Sequence, residues 1–520
     1  MKRILSIIII VFLCLLCGCD NNSNKSTVKS ENKEFKIKQL IDENPVKEIG
    51  YRGSEKRSFY TIKGKLDDDT KIIEAKENIQ YINNSGVTLN DMVMHLYADS
   101  YGSLDTMPFN FSEGTFDDKY KGDITINFVK VNNIDVPFTQ DNQVLKFNLK
   151  NELKSGECVN LDIDFKLKIP KTTGRLGYVD NDYSLTNWYP IVAMYNSKQK
   201  KWDTNCYHPI GESNYADYSD YKVDIEVPKN MIVVGTGIER EKSTGNQYNN
   251  KLVTLQENNV KDFALFMSPR YKCIKSEIDG ISINSYFLSE NRKVAERLLN
   301  EDKEAMEFYN KALGKYPYKE FDIVETNMKG GAMEYPTVIQ MGLYEGTHLD
   351  NEIKEGSLQW IDDAVVHELV HQWWFGIVGN NEFEEAILDE TFTTYWTTLY
   401  FEYTYGRNNV NSGKSMYSYL GHGEECLPVN RAVNKFVDDD QFTKALYEIG
   451  PSILEKFRNE IGEEKFIQLY RKYYEKYRFR NATLSGFLEV VEDVCGAEKA
   501  KLLKEAFNSK KYDLNRFITK

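Results

Sequence analysis

Between Tyr60 and Met267 the apolar residues of this chain fall mainly on alternate positions. Leu161-Asp-Ile-Asp-Phe-Lys-Leu-Lys-Ile169 alternates strictly and puts five apolar side chains on one face. Tyr221-Lys-Val-Asp-Ile-Glu-Val227 and Ile124-Thr-Ile-Asn-Phe128 do the same. A period of two marks strands with one buried face, and turn clusters such as Asn83-Asn84-Ser85-Gly86 separate them. The period changes near Asn284. From Ser289 to Leu313, the residues Ala295, Leu298, Leu299, Ala305, Met306, Tyr309, Ala312 and Leu313 follow helical spacing, with Gly314 placed to stop the helix. A short strand, Phe321–Glu325, follows, and helices dominate from Trp360 onward. No internal repeat is evident. The expected organisation is an all-β domain over 51–280 and a mostly helical α+β domain over 281–520, since 520 residues exceed one compact core.

The first nineteen residues belong to neither domain. Lys2 and Arg3 precede an apolar run from Ile4 to Leu16, too short to read as a spanning helix. The run ends in Leu16-Cys17-Gly18-Cys19, which resembles the lipobox of bacterial lipoproteins. That resemblance implies cleavage before Cys19, a diacylglycerol on its thiol, and residence on the extracytoplasmic face of the cell membrane. An uncleaved anchor and an ordinary secretory signal are the alternatives. Residues 20–50, rich at first in Asn, Ser and Lys, are expected to be a flexible tether.

Composition narrows the classes. Hydrophobic residues make up 41% and aromatic residues 13%, enough for real cores. A formal net charge of −13 without a long basic run argues against nucleic acid as a partner. Of the eight cysteines, Cys158, Cys206, Cys273, Cys426 and Cys495 lie beyond the leader; they are scattered, odd in number, and suggest no disulfide framework.

The strongest chemical signal is His367-Glu368-Leu369-Val370-His371. Two His four apart share one helix face, so their imidazoles can converge on one metal ion. Glu368 then faces the open coordination position, where it can act as general base. A catalytic zinc takes three protein ligands. Glu390, on the apolar segment Leu388–Trp396, needs a partner to justify burial and is the expected third. Asp389 reads as a supporting or structural acid. His95, His208, His348 and His422 have no ligand spacing.

With those residues the chain resembles peptidase family M1, the aminopeptidase N-like gluzincins, as a short bacterial lipoprotein member. The family's Gly-x-Met-Glu-Asn signature is matched by Gly330-Gly331-Ala332-Met333-Glu334-Tyr335, with Tyr335 in place of Asn. The resemblance implies substrate binding by Gly331, Ala332, Met333 and Glu334, with Glu334 pairing the free α-amine of a peptide. It implies that Tyr447, in Tyr447-Glu-Ile-Gly450, hydrogen-bonds the oxyanion. Glu212, in His208-Pro-Ile-Gly-Glu212, is the candidate second acid of the amine site, against a solvated loop acid. The implied fold is an N-terminal β sandwich or saddle followed by a thermolysin-like zinc domain. The implied activity is a zinc aminopeptidase with one Zn2+ per chain. A zinc endopeptidase, a catalytically silent binding module and a hydrolase of non-peptide substrates such as epoxides are the rivals. The chain ends 130 residues after Glu390, so a more open cleft than in longer relatives is expected.

Overall fold

A computed structural model describes residues 38–46, 56–103, 105–108, 120–243, 249–288, 292–329, 331–344, 360–405 and 428–509. The leader, Cys19, Gly330, His348, His422 and Cys426 lie outside the described residues. The C-terminal part of the expected tether departs from that expectation. Residues 38–43 are helical, Ile41 is buried, and Val46 N donates to Lys311 O at 3.1 Å. Tyr403 adds to this docking, since its hydroxyl donates to Asp42 Oδ1 at 2.8 Å and Lys38 lies over its ring; the polar composition of the stretch concealed these contacts.

The alternating segments form the expected sheets. Eight strands lie in the order Ile238–Ser243, Asn250–Val260, Ser219–Pro228, Ser58–Asp67, Ile72–Ile82, Cys158–Lys168, Asp123–Val131 and Ile134–Asp135. All pairs are antiparallel except Ser58–Asp67 with Ser219–Pro228. In that parallel pair Tyr60 stands opposite Tyr221, and their rings stack at 4.6 Å. Leu161, Ile163, Phe165, Leu167 and Ile169 are all buried, while the intervening Asp and Lys are not. Two four-stranded sheets share a hydrophobic core with it. One is Ile232–Gly235, Leu265–Ser268, Asp182–Leu185 and Gly177–Val179; the other is Ile191–Val192, Leu89–His95, Val144–Leu153 and Phe138–Asp141.

The second half opens on a five-stranded sheet in the order Lys272–Ile278, Ile281–Phe287, Glu320–Glu325, Val338–Met341 and Ala332–Tyr335. This sheet draws on strands from both sides of the expected boundary at 280. Helix α1 (Arg292–Ala312) crosses over it and buries the periodic stripe from Ala295 to Ala312. Its last carbonyls accept from Arg471: Ala312 O from Nε at 2.8 Å and Lys311 O from Nη2 at 3.0 Å. A Cβ at Gly314 would lie 2.4 Å from the Tyr474 ring, so only glycine admits that approach. Helices α2 (Trp360–Val370), α3 (Glu390–Tyr405), α4 (Gly450–Ile461), α5 (Glu463–Tyr477), α6 (Leu484–Cys495) and α7 (Ala497–Phe507) complete the domain. The sequence places its third ligand on a helix, and Glu390 stands at the first residue of α3. Cys158, Cys206, Cys273 and Cys495 are free thiols.

Candidate active site

Helix α2 is apolar on most sides: Ile361, Val365, Val366, Leu369 and Val370 are all buried. Its position is fixed by charge at its start. Asp362 receives a two-point fork from Arg297 of α1, Nε to Oδ1 at 2.7 Å and Nη2 to Oδ2 at 2.5 Å. Such a pair fixes orientation as well as distance. The carboxylates of Asp362 and Asp363 also suit the positive end of the helix dipole.

Three donor atoms converge at the other end of α2. His367 Nε2 lies 3.1 Å from His371 Nε2, and Glu390 Oε2 lies 3.2 Å from the first and 3.5 Å from the second. Both imidazole nitrogens and the carboxylate oxygen can offer lone pairs to one cation placed between them. The set His, His, Glu with mutual spacing under 4.8 Å fits one metal ion with a position to spare. Glu390 is held well below the usual carboxylate range: burial opposes this, and the two imidazoles outweigh it. On the outer side, His371 Nδ1 faces Asp389 Oδ1 at 2.7 Å and Thr393 Oγ1 at 3.1 Å. A carboxylate behind a metal-binding His fixes its tautomer and ring plane.

Glu368 is buried, and burial first, then the charge of Glu334, raises its carboxyl well above the usual range. Tyr447 lies on a π-helical turn, Lys444–Ile449, and stacks on the His367 ring at 5.7 Å. Wide turns of this kind interrupt helices most often at functional sites. The turn is tied to the ligand helix because Thr391 Oγ1 donates to Leu446 O at 2.8 Å. A Cβ at Gly450 would lie 2.4 Å from Thr391 Oγ1, so the glycine three residues after Tyr447 permits that contact. Burial, then the charge of Glu390, keeps the Tyr447 phenol protonated and therefore a donor.

Glu334 comes from the edge strand Ala332–Tyr335, hairpin-paired with Val338–Met341. The hairpin turn, with Thr337 at φ 65°, is pinned by the residue after the second ligand histidine. Gln372 Nε2 donates to Tyr335 O at 2.9 Å, and its Oε1 accepts from Thr337 N at 2.9 Å. One amide thus sets the distance between Glu334 and the donor cluster. Glu334 Oε1 is buried, has no hydrogen-bond partner among the described residues, and lies 3.9 Å from His371 Nδ1. Burial lifts this carboxyl to about 7. An orphaned buried carboxylate oxygen costs free energy until a cationic ligand meets it.

The remaining expectations divide. Gly331 has φ 91° and open space around it, which suits backbone approach by an extended ligand. Ala332 is half-buried. Met333 departs from its expected place in the substrate pocket. Strand alternation turns it away from the Glu334 face, into a core with Val234, Ala264, Phe266 and Tyr335. Any contact from Met333 is therefore through its backbone. Glu212 is no solvated loop acid: it is buried and paired with Arg175, and burial raises its carboxyl to about 7 against the lowering effect of that guanidinium. Six carboxylates, those of Glu212, Glu334, Glu368, Glu382, Asp389 and Glu390, are buried here, with Arg175 and Lys261 as buried basic side chains nearby. That balance favours a cationic guest. Arg175, Gln372 and Thr393 were not visible in the sequence; an amide directly after the second ligand His was the only local hint.

Residues 297–509 match the sequence profile of the Peptidase family M1 domain. That segment holds most of the helical half, including His367, Glu368, His371, Glu390 and Tyr447. Among curated proteins the chain is similar to Aminopeptidase 2 of Candida albicans, 22% identical over 513 residues, which is 94% of this chain and 50% of that protein. It is also similar to Probable aminopeptidase 2 of Sulfurisphaera tokodaii, 24% identical over 66% of this chain and 44% of that one. The chain thus spans about half the length of the curated relatives it matches. Among solved structures, an M1 zinc metallopeptidase from Deinococcus radiodurans, bound to a Tyr-Ser-Ala substrate, superimposes with TM-score 0.61 at 14% identity, over 88% of this chain and 94% of that one. Aminopeptidase A of Legionella pneumophila, in complex with aspartic acid, gives 0.63 at 14%, over 88% and 50%. The likeness shows that the chain shares the fold of these proteins, a β-rich N-terminal half followed by a mostly helical half.

Proposed function

We propose that this protein is a zinc aminopeptidase that hydrolyses the first peptide bond of peptides with a free α-amine. The observation that carries this reading is the orphaned Glu334 Oε1, buried beside the His367, His371 and Glu390 donor set. A fixed carboxylate at that distance pairs with an ammonium and sets which peptide bond meets the metal.

Zinc held by His367, His371 and Glu390 would supply Lewis acidity toward both water and the scissile carbonyl. Glu368, grouped with His371 and Glu334 beside the donor set, takes the proton of the attacking water and returns it to the leaving amine. Tyr447 donates its phenolic hydrogen bond to the oxygen that gains charge in the transition state. Glu334 and Glu212 receive the α-ammonium, which fixes the register at the N-terminus. Asp389 and Thr393 keep the His371 ring turned so that Nε2 faces the other two donors. The extended N-terminus of the substrate runs past Gly331 and Ala332 and contacts the strand edge through backbone bonds.

Cleavage of one short peptide beside its N-acetylated twin, with and without a chelator, tests this proposal. Loss of one residue at a time from the free-amine peptide alone, abolished by the chelator, is the expected result. Internal cleavage of both peptides would replace it with an endopeptidase. We also propose that Cys19 is lipidated and tethers the enzyme to the outer face of the cell membrane, on the strength of Leu16-Cys17-Gly18-Cys19. Mass spectrometry of the membrane fraction should find diacylglyceryl at Cys19; a soluble, unmodified mature chain would refute it.

A further inference from the structure

Arg175 meets Glu212 with its side chain and, with its main chain, the strand paired with the one that carries Glu334. The guanidinium is buried, pairs through Nη2 with Glu212 Oε1, and donates through Nη1 to Tyr207 Oη at 2.5 Å. Its carbonyl oxygen lies 3.5 Å from Gln340 Nε2, which also bonds Ser184 Oγ at 3.3 Å and Thr326 Oγ1 at 3.2 Å. Gln340 stands opposite Met333 in the hairpin that carries Glu334. The next residue is fixed as well, because Leu176 N donates to Tyr101 Oη at 3.1 Å. Arg175 therefore spans from the loop of Glu212, in the β half, to the strand pair of Glu334, in the helical half.

The Glu212 loop has no ladder of its own. Residues 203–218 carry no strand or helix, and their backbone is held by scattered bonds such as Asn214 N to Glu382 Oε2 at 2.7 Å. A glutamate on such a segment has several rotamers. A planar guanidinium with fixed donor directions, itself anchored to Tyr207, selects one of them. The contact takes one oxygen of Glu212 and leaves Oε2 outside it.

We infer that Arg175 is a positioning residue of the amine subsite, holding Glu212 at a set place relative to Glu334 so that both carboxylates reach the same α-ammonium. The inference rests on the proposed reading of Glu212 and Glu334 as acceptors of that ammonium. Arg175 does not meet the substrate; it acts through Glu212. Its loss frees Glu212 and weakens the hold on the amine, with less effect on the bond-breaking step.

The test is a double-mutant cycle on Arg175→Met and Glu212→Gln in the full, zinc-loaded chain. It reads kcat and KM for the dipeptide cleaved fastest, and the inhibition constant of its des-amino twin. Each single variant is expected to raise KM roughly tenfold or more, the usual scale for one charge-assisted hydrogen bond, with a smaller change in kcat. The double variant should be no worse than Glu212→Gln alone, Arg175→Lys should recover part of the loss, and the des-amino twin should bind all variants alike. Effects that multiply in the double variant, or an equal loss for the des-amino twin, would overturn the inference, since a merely structural arginine behaves that way. A normal KM in Glu212→Gln would overturn it too, while leaving the aminopeptidase reading with Glu334. Should Arg175→Met fail to fold, Arg175→Lys against Glu212→Gln carries the same cycle.

Discussion

The two ends of the site are built by different means. The metal end comes from two helix ends: His367 and Glu368 close α2, His371 follows it directly with its N–H still bonded to His367 O, and Glu390 opens α3. The spacing of the two His follows from one helical turn, and the packing of α3 against α2 brings Glu390 to them. The proposed amine end is assembled from a hairpin strand, a loop without secondary structure, and a main-chain carbonyl at Arg175, spread over more than a hundred residues of chain. Nothing periodic links those positions, and their geometry depends on Gln340, Gln372 and Arg175 holding separate elements in place. The contrast teaches that chemistry common to metallohydrolases sits where local structure suffices. The proposed selection of a free amine rests on tertiary contacts.

The sharpest way to break the comparison is at the metal end. Glu368→Gln keeps shape and helix but removes the base, so kcat should fall by ~10³-fold or more while zinc stays bound. Metal analysis beside steady-state kinetics checks it; loss of zinc as well would make Glu368 structural. Tyr447→Phe keeps the stack on His367 and removes one hydrogen bond, and kcat should drop by ~100-fold. A near-normal kcat would move the oxyanion donor elsewhere. Asp389→Asn alters only the support behind His371, and zinc affinity should fall by roughly 10- to 100-fold. Competition with a chelator measures this, and an unchanged affinity would leave the 2.7 Å contact without function.

The same contrast governs what could be read in the chain beforehand. The strands of the β half were legible because one face meets a core and the other meets water, which stamps a period of two on Leu161 to Ile169. Helix α1 was legible for the same reason at period 3.6. The four-residue spacing of His367 and His371 named two of the three atoms that converge in space, and the buried glutamate after them named the third. Glu334 was named through its signature, but the partnerless state of its Oε1 is a property of packing and leaves no local mark. Met333 misled, because the signature does not say which face of its strand is inward. Ile41 was hidden in a polar segment, since a single docked side chain creates no pattern. Arg175 looked like any loop arginine until the fold brought Tyr207 and Glu212 around it.

The most direct test of the account is the ratio of kcat/KM for a free-amine peptide to that for its N-acetylated twin, measured in the wild-type protein and in Glu334→Ala with zinc content matched. The account predicts a large preference for the free amine in the wild type that collapses in the variant while one zinc per chain remains bound. A preference that survives in Glu334→Ala would contradict it, and would place the recognition of the N-terminus outside the carboxylate on which this reading depends.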